Sequence, residues 1–173
     1  SKAQQEIPCL RRINILAHSM GNRVLEQTLK RWAEYYSSCQ MPQLFRNIFM
    51  AAADVENHTL EKGFAGQYIV DSGRNVVVYY ANDDLAMPAS KLANLKNKTV
   101  SRRLGMTGPE DLQKLPRKVY EVDCDEFNNL FDPIGHTYFL TNKEGKASPV
   151  IKHMADAIRG GRVIPDKRSL ILN

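Results

Sequence analysis

The sequence predicts an α/β fold in which a predominantly parallel β-sheet is flanked by helices. The first observation is that short apolar segments alternate with helical or loop segments four times along the chain. The second is that Ser19, Asp54, Asp84 and His136 each come after one of these apolar segments. Because functional side chains of such folds lie past the carboxyl ends of the strands, we expect these residues at one edge of the sheet.

The composition is typical of a globular domain. Of the 173 residues, 43% are hydrophobic and 25% are charged, which suits a chain with a sizeable core. We therefore treat residues 1–173 as a single domain. No apolar run approaches the roughly 18 residues that a membrane span needs, and residues 1–6 lack the apolar segment of a signal peptide. We expect neither feature in this chain.

The charge pattern argues against a nucleic-acid partner. The net charge is +5 and the pI is about 9.1, but the basic pairs are scattered and no aromatic residues alternate with them. We interpret these pairs as a solvated surface.

The cysteines are few and far apart. Cys9, Cys39 and Cys124 form no C-x-x-C pair and no cluster with histidine. An odd, widely spaced set predicts neither a disulfide framework nor a metal site. Reduced structural thiols favour a cytoplasmic location.

An abrupt turn joins the first strand to the first helix. Residues 12–17 are apolar and predict a buried strand, while residues 22–38 place apolar side chains at helical spacing. The sequence AHSMG, centred on Ser19, lies between them. We therefore define residues 12–22 as an elbow segment.

The later elements continue the alternation. Further strands are predicted over residues 44–53, 75–81 and 117–123, and residues 97–116 and 124–136 predict loops, the first with a helical turn. The helical segments are a short helix and loop over 55–68, a helix over 90–95 and a helix over 148–158. The last helix has signals at both ends, namely Ser148 as N-cap, Pro149 at the first helical position and Gly160 after its end.

Ser19 is a candidate nucleophile. A serine hydroxyl needs a base within hydrogen-bond reach, and a sharp strand-to-helix turn makes it protrude. Such a turn requires small residues two positions before and after the serine, here Ala17 and Gly21. The N–H of Met20 would then face a developing oxyanion at the start of the helix. An ordinary turn or N-cap serine is the alternative interpretation.

Four histidines compete for the role of base. His136 follows the last predicted strand in a loop over 132–139, in the chain order that this type of elbow expects. His18 adjoins Ser19 but would pack or hydrogen-bond beneath the turn. His58 precedes the third strand, and His153 lies within the last helix. We therefore select His136.

Three aspartates can orient that histidine. Asp84 lies in a loop over 82–88, at the end of the third strand, and is preferred. Its neighbour Asp83 could replace it, and Asp54 after the second strand is a further alternative. An aspartate after a strand also serves as a helix N-cap or in an Asx-turn, which leaves the choice open.

Four segments together resemble the C-terminal half of an α/β-hydrolase, and more narrowly an uncharacterised, esterase/lipase-like bacterial branch of that superfamily. The segments are ILAHSMGNRVL (15–25), AAADVE (51–56), VVYYANDDLAM (77–87) and GHTYF (135–139). The resemblance implies that Ser19 is the nucleophile, Asp84 the acid and His136 the base. It also implies hydrolysis of a small-molecule ester through an acyl-enzyme, without a cofactor.

The chain departs from that family pattern in two ways. Ala17 replaces the commoner glycine, and the first four strands of the fold are absent. Those strands carry the second oxyanion N–H, and without them the strand over 12–17 becomes an apolar edge. The chain also does not begin with Met, so we expect a missing N-terminal half, or a second copy in a homo-oligomer.

Two further expectations follow from these departures. A non-catalytic binding or scaffold protein, or an inactive fragment of a larger hydrolase, is the alternative function. Four residues near strand ends or loops would line an acyl pocket unless they belong to the core, namely Phe64, Met87, Phe131 and Ile134.

Overall fold

A computed structural model gives the fold of the chain and describes residues 13–36, 40–86, 102–160 and 163–172. Five strands form one sheet in which all neighbours are parallel and the spatial order follows the chain order. This arrangement confirms the predicted fold class. The strands are β1 (Asn14–His18), β2 (Phe45–Ala51), β3 (Gly73–Tyr80), β4 (Val119–Asp123) and β5 (Ser169–Ile171).

Helices cover both faces of this sheet. Buried side chains of α1 and α2 pack on one face, and those of α5 pack on the other. No helix within the described ranges is long and apolar enough to cross a membrane. The helices are α1 (Gly21–Tyr35), α2 (Gln67–Ser72), α3 (Leu104–Thr107), α4 (Asn128–Phe131) and α5 (Pro149–Arg159), with a 3₁₀ turn at Leu112–Lys114.

The central strand β3 contributes to both layers of the core. Side chains of a strand alternate between its faces, so Val76 and Val78 pack towards α1 and α2 while Val77 and Tyr79 pack towards α5. All four side chains are fully buried. Burial on both faces explains why this segment is an unbroken apolar run without polar alternation.

The four predicted strands are confirmed, with ends that differ by at most two residues. The signals of the last helix are confirmed as well, because the Ser148 hydroxyl accepts the N–H of Ile151 and Gly160 ends the helix in the left-handed conformation. The helix predicted over 90–95 lies outside the described residues.

Three elements differ from the prediction. The helix predicted within residues 55–68 is wrong in position, since residues before Gln67 form turns around Gly63, whose φ is 95°. The sequence predicts a loop over 124–136, whereas Asn128–Phe131 form the short helix α4. The strand β5 is not predicted either. This strand is three residues long and exposes both Ser169 and Ile171, so it carries neither an apolar run nor an alternating pattern.

Within the described residues, β1 is an edge strand. It pairs with β2 alone, and Ile13 and Leu16 are 40% and 45% exposed. The exposed apolar edge expected from the sequence is therefore present in this part of the chain.

Backbone hydrogen bonds of Gly105 connect α3 to the chain just past the carboxyl ends of β2 and β3. Its N–H donates to the carbonyl of Ala53 at 2.9 Å, and its carbonyl accepts the N–H of Ala81 at 3.1 Å. A Cβ at this position would lie 2.2 Å from the nitrogen of Ala53 and 2.3 Å from the carbonyl carbon of Ala52. Only glycine fits this approach without moving the backbone.

We expect Gly105→Ala to lower the free energy of unfolding by about 3 kcal/mol, because the added methyl group meets backbone that cannot yield. Gly21→Ala is the matched control, since a Cβ there would meet nothing within 4 Å, and it should change stability by less than about 1 kcal/mol. Urea unfolding followed by circular dichroism measures both variants. Equal losses would contradict the close approach at Gly105.

Candidate active site

Ser19 occupies the turn between β1 and α1 with a strained backbone. Its φ of 50° lies in the left-handed region, which costs a non-glycine residue roughly 1–3 kcal/mol. Neighbouring backbone holds it in place. The Ser19 N–H donates to the carbonyl of Ala51 at 3.0 Å, and the Ser19 carbonyl accepts the N–H groups of Asn22 at 3.1 Å and Asp54 at 3.2 Å. The carboxyl end of β2 therefore supports the turn on two sides.

Asn22 secures the same turn from inside the protein. Its side-chain nitrogen donates to the carbonyls of Ala17 at 3.1 Å and Ser19 at 3.2 Å, and the residue is fully buried. The sequence alone does not predict this role. The available signal is weak, because asparagine in a first helical turn has many possible local partners.

The two small residues that flank Ser19 are packed differently. Ala17 is buried, as a close approach requires. At Gly21, however, a Cβ would meet no described atom within 4 Å. The prediction that a small residue is needed there to avoid a clash is therefore wrong with respect to the described residues.

The start of α1 faces the region next to Ser19. The helix begins at Gly21 with Met20 as its N-cap residue. The first N–H groups of a helix have no acceptor within the helix, and the helix dipole concentrates partial positive charge at this end. The N–H groups of Asn22 and Arg23 already bond to the carbonyls of Ser19 and Met20, at 3.1 and 3.0 Å. Among the described residues, the N–H groups of Met20 and Gly21 are therefore the ones left for an oxyanion.

His136 and Asp84 form a direct pair. The Nδ1 atom of His136 lies 2.7 Å from Oδ2 of Asp84, whose side chain is fully buried. The other carboxylate oxygen accepts the N–H of Ala86 at 3.0 Å. The Leu85 N–H donates to the carbonyl of Ile134 at 2.9 Å. The loops that carry the acid and the histidine are therefore joined through side chains and backbone.

Asp132 shapes the loop that presents His136. Its carboxylate accepts the backbone N–H groups of Ile134 at 3.1 Å, His136 at 3.0 Å and Thr137 at 2.7 Å, together with the Thr137 hydroxyl at 2.8 Å. Burial acts to raise the pKa of Asp132, but these hydrogen bonds outweigh it and lower that pKa below its usual value. Asp132 is not among the predicted residues, although an aspartate before Pro133 and Gly135 is a turn signal.

Tyr138 anchors this loop in the core. Its fully buried hydroxyl donates to the carbonyl of Tyr79 at 3.0 Å and accepts the N–H of Ala52 at 3.2 Å. The loop that carries His136 is thereby attached to the ends of β2 and β3.

His18 connects the elbow to the candidate base. Its Nε2 lies 3.2 Å from the carbonyl oxygen of His136, so a neutral His18 donates that hydrogen bond. The centroid of its ring lies 4.6 Å from that of His136 and 4.8 Å from that of Phe139. Since His18 directly precedes Ser19, these contacts bring His136 to the same edge of the sheet as the elbow.

The two histidines differ in electrostatic environment. The hydrogen bond to Asp84 raises the pKa of His136 above its ordinary value, although partial burial acts in the opposite direction. Burial, followed by repulsion from His136, lowers the pKa of His18. The lowered pKa favours the neutral form of His18 at neutral pH. With its proton on Nε2, this form still donates the hydrogen bond to the His136 carbonyl.

Asp54 lies close to Ser19 but binds arginines. Its buried carboxylate is 2.8 Å from Nη2 of Arg23 and 3.3 Å from Nε of Arg103. Arg23 also donates to the backbone carbonyl of Asp54 at 2.6 Å. Asp54 thus joins α1 to the segment before α3.

Asp83, the other alternative acid, faces a different pair of side chains. It accepts hydrogen bonds from the amides of Asn128 and Asn129. The aspartate in hydrogen-bond contact with the His136 ring is therefore Asp84.

His58 lies apart from the His136–Asp84 pair. Its Nε2 lies 3.0 Å from a carboxylate oxygen of Glu56, and its ring packs against Phe64. It therefore belongs to the surface near the end of β2.

His153 has a packing role. It lies between the hydroxyl of Tyr79, at 2.8 Å, and the carbonyl of Val163, at 2.7 Å. These contacts join α5 to β3 and to the segment after α5.

The residues suggested for an acyl pocket do not form one group. Phe64 and Ile134 are 43% and 53% exposed. Phe131 packs against the core beside Phe127, and Met87 lies outside the described residues. No common pocket is therefore assigned to them.

The described residues contain no group of three His, Cys, Asp or Glu side chains that could hold a metal ion. Cys124 is a free, buried thiol, and burial raises its pKa well above the ordinary value. It is therefore unreactive as a nucleophile. Cys9 and Cys39 lie outside the described residues.

Comparison with known proteins gives one family. A family model described as "Alpha/beta hydrolase of unknown function (DUF900)" matches residues 3–153. No curated protein and no solved structure matches the chain.

We expect Asp84→Asn to lower the pKa of His136. The present value is raised, so His136 loses its proton only as the pH climbs above the range of a free imidazole. An asparagine removes the negative charge next to His136, while the burial of His136, which lowers its pKa, remains. The imidazole would then lose its proton at a lower pH than in the parent protein. Titration of the histidine Cε1 protons by NMR measures the shift. Asp83→Asn is the matched control, and an equal shift in both variants would contradict the pairing.

We expect Asp54→Asn to reduce stability rather than to shift the His136 pKa strongly. The substitution leaves two guanidinium groups facing a neutral amide, and breaking a buried ion pair costs about 3 kcal/mol. Urea unfolding provides the measurement, with the exposed Asp83→Asn expected to cost less than about 1 kcal/mol. An Asp54→Asn protein as stable as the parent would overturn this role.

Proposed function

The chain belongs to the family of alpha/beta hydrolases of unknown function, and we propose that it hydrolyses carboxylic esters through Ser19. The observation that carries this proposal is the 2.7 Å contact between His136 and Asp84, beside the left-handed turn at Ser19. The contact of His18 with His136 supports their common location.

The proposed first half-reaction forms an acyl-enzyme. His136 takes the proton of the Ser19 hydroxyl through Nε2 while its Nδ1 remains bonded to Asp84. Ser19 Oγ attacks the ester carbonyl carbon, and the carbonyl oxygen becomes an oxyanion that the Met20 N–H stabilises. The C–O bond to the alcohol then breaks, and His136 returns the proton to the leaving alkoxide.

The second half-reaction uses water in place of the alcohol. His136 removes a proton from a water molecule, which attacks the acyl carbon. The bond to Ser19 Oγ breaks, the serine recovers its proton from His136, and the carboxylic acid leaves. The chain's own side chains supply each proton transfer in this scheme.

Binding without turnover is the second candidate function. Within the described residues β1 has β2 as its strand neighbour, so no strand on its other side brings a second oxyanion N–H. Loss of one such donor costs a serine hydrolase roughly 100- to 1,000-fold in rate. A scaffold that keeps the elbow but turns over poorly would have this arrangement.

The test is labelling by a fluorophosphonate probe, read by mass spectrometry of the peptide that contains Ser19. An activated serine should be labelled in the parent protein and not in Ser19→Ala. His136→Ala should slow labelling by roughly 100-fold or more, because general-base catalysis is lost.

Two comparisons sharpen this test. Ser169→Ala removes an exposed serine in β5 and should leave labelling unchanged. Hydrolysis of p-nitrophenyl acetate then separates the two candidate functions, since a slow scaffold would label without sustained turnover. A folded parent protein that does not react at Ser19 would overturn the proposed mechanism.

A further inference from the structure

Three neighbouring strands each have an arginine at or just before their amino ends. Arg46 and Arg74 lie at the starts of β2 and β3, and the register pairs on either side of them place these two residues next to each other. Arg117 comes two residues before β4, and the pairing of Val76 with Val119 puts it level with Arg74. Adjacent strands are about 4.8 Å apart, so the three arginines form a row, here called the arginine row.

The arginine row has no ion-pair partner within the part of the chain that the structure describes. Among the described residues, none of the ion pairs involves Arg46, Arg74 or Arg117. Like charges that face each other on neighbouring strands are destabilising. The fold therefore accepts a repulsion that a bound anion would relieve.

A cavity of about 730 Å³ opens at the arginine row, which is within the size range of small-ligand sites. Its described lining carries one acidic residue, Asp166, against five basic ones, including Lys167. The lining is also partly apolar, through Tyr120, Val163 and Ile164. It thus combines positive charge with a wall suited to an organic group.

Two features give the cavity a defined shape. The guanidinium of Arg168 donates to the carbonyls of Leu112 at 2.7 Å and Leu115 at 2.9 Å, so it is a structural part of the wall. Val163, another lining residue, is held by His153, whose Nε2 lies 2.7 Å from the Val163 carbonyl oxygen. These hydrogen bonds fix parts of the cavity wall, and the arginine row forms a charged part of its surface.

We propose that this cavity binds a small organic phosphate. Planar guanidinium groups suit the oxygens of a phosphate, which can accept paired hydrogen bonds from them. The apolar lining would contact the organic part of the same molecule. A single concave cavity suits a small molecule better than a nucleic-acid backbone, which requires an extended line of charge.

The proposed site is independent of the ester-cleaving site. It lies at the amino ends of the strands, whereas Ser19 and His136 lie past the carboxyl ends. With a rise of roughly 3.3 Å per residue, the eight residues of β3 separate the two by about 25 Å. Failure of either proposal leaves the other standing.

Calorimetric titration with AMP and with inorganic pyrophosphate, at constant ionic strength, tests the site. We expect saturable binding at one site per chain. Arg74→Gln and Arg117→Gln should each weaken it by about tenfold, because each removes a charge-assisted contact. Arg31→Gln, an exposed arginine on α1, is the matched control and should leave affinity unchanged.

Thermal unfolding supplies a second readout. Without ligand, Arg74→Gln should be at least as stable as the parent, since it reduces the repulsion within the arginine row. Pyrophosphate should raise the melting temperature of the parent more than that of the variant. Absence of saturable binding, equal weakening by Arg31→Gln, or tighter binding of duplex DNA than of AMP would overturn the proposal.

Discussion

The left-handed turn at Ser19 depends on the carboxyl end of β2, and the candidate site is built around that support. The parallel register pairs His18 with Ala51, which sets Ser19 beside Ala52 where the two strands end. Both residues have positive φ, 50° and 43°. Two neighbouring strands thus end in strained turns that hydrogen bonds hold in place, and strain of this kind is characteristic of functional sites.

Asp54 and Asp84 are both buried and follow neighbouring strands, but they contact different kinds of charged group. Asp54 faces Arg23 and Arg103, whose permanent positive charges fix it in an ion-paired cluster. Asp84 faces an imidazole, whose charge can change within the physiological pH range. A carboxylate beside permanent cations stabilises structure, whereas one beside an imidazole sets a proton affinity.

The sheet could be predicted from sequence because its strands are short runs of buried apolar residues, a local signal that survives in a single sequence. Ser19 and His136 could be proposed as candidate residues because a motif and chain order point to them, and Asp84 could be preferred as the acid because of its place after the third strand. The contacts of Asp132 and Asn22, and the pairing of Asp54 with arginines instead of His136, depend on residues far apart in the chain or on loop geometry. The local sequence pattern carries little information about long-range contacts or about loop geometry. The strand β5 is too short and too exposed to give a pattern of its own.

The shared hydrogen bonds of Tyr138 link motion of the histidine loop to the integrity of the sheet. Displacing the loop would remove both hydrogen bonds of the Tyr138 hydroxyl and leave the buried Ala52 N–H and Tyr79 carbonyl with only the 3.3 Å hydrogen bond between them. The loop and the ends of β2 and β3 therefore form one cooperative unit. In hydrogen–deuterium exchange, the Ala52 amide would exchange at the rate at which the whole unit opens. His136 would leave its position only in the same opening.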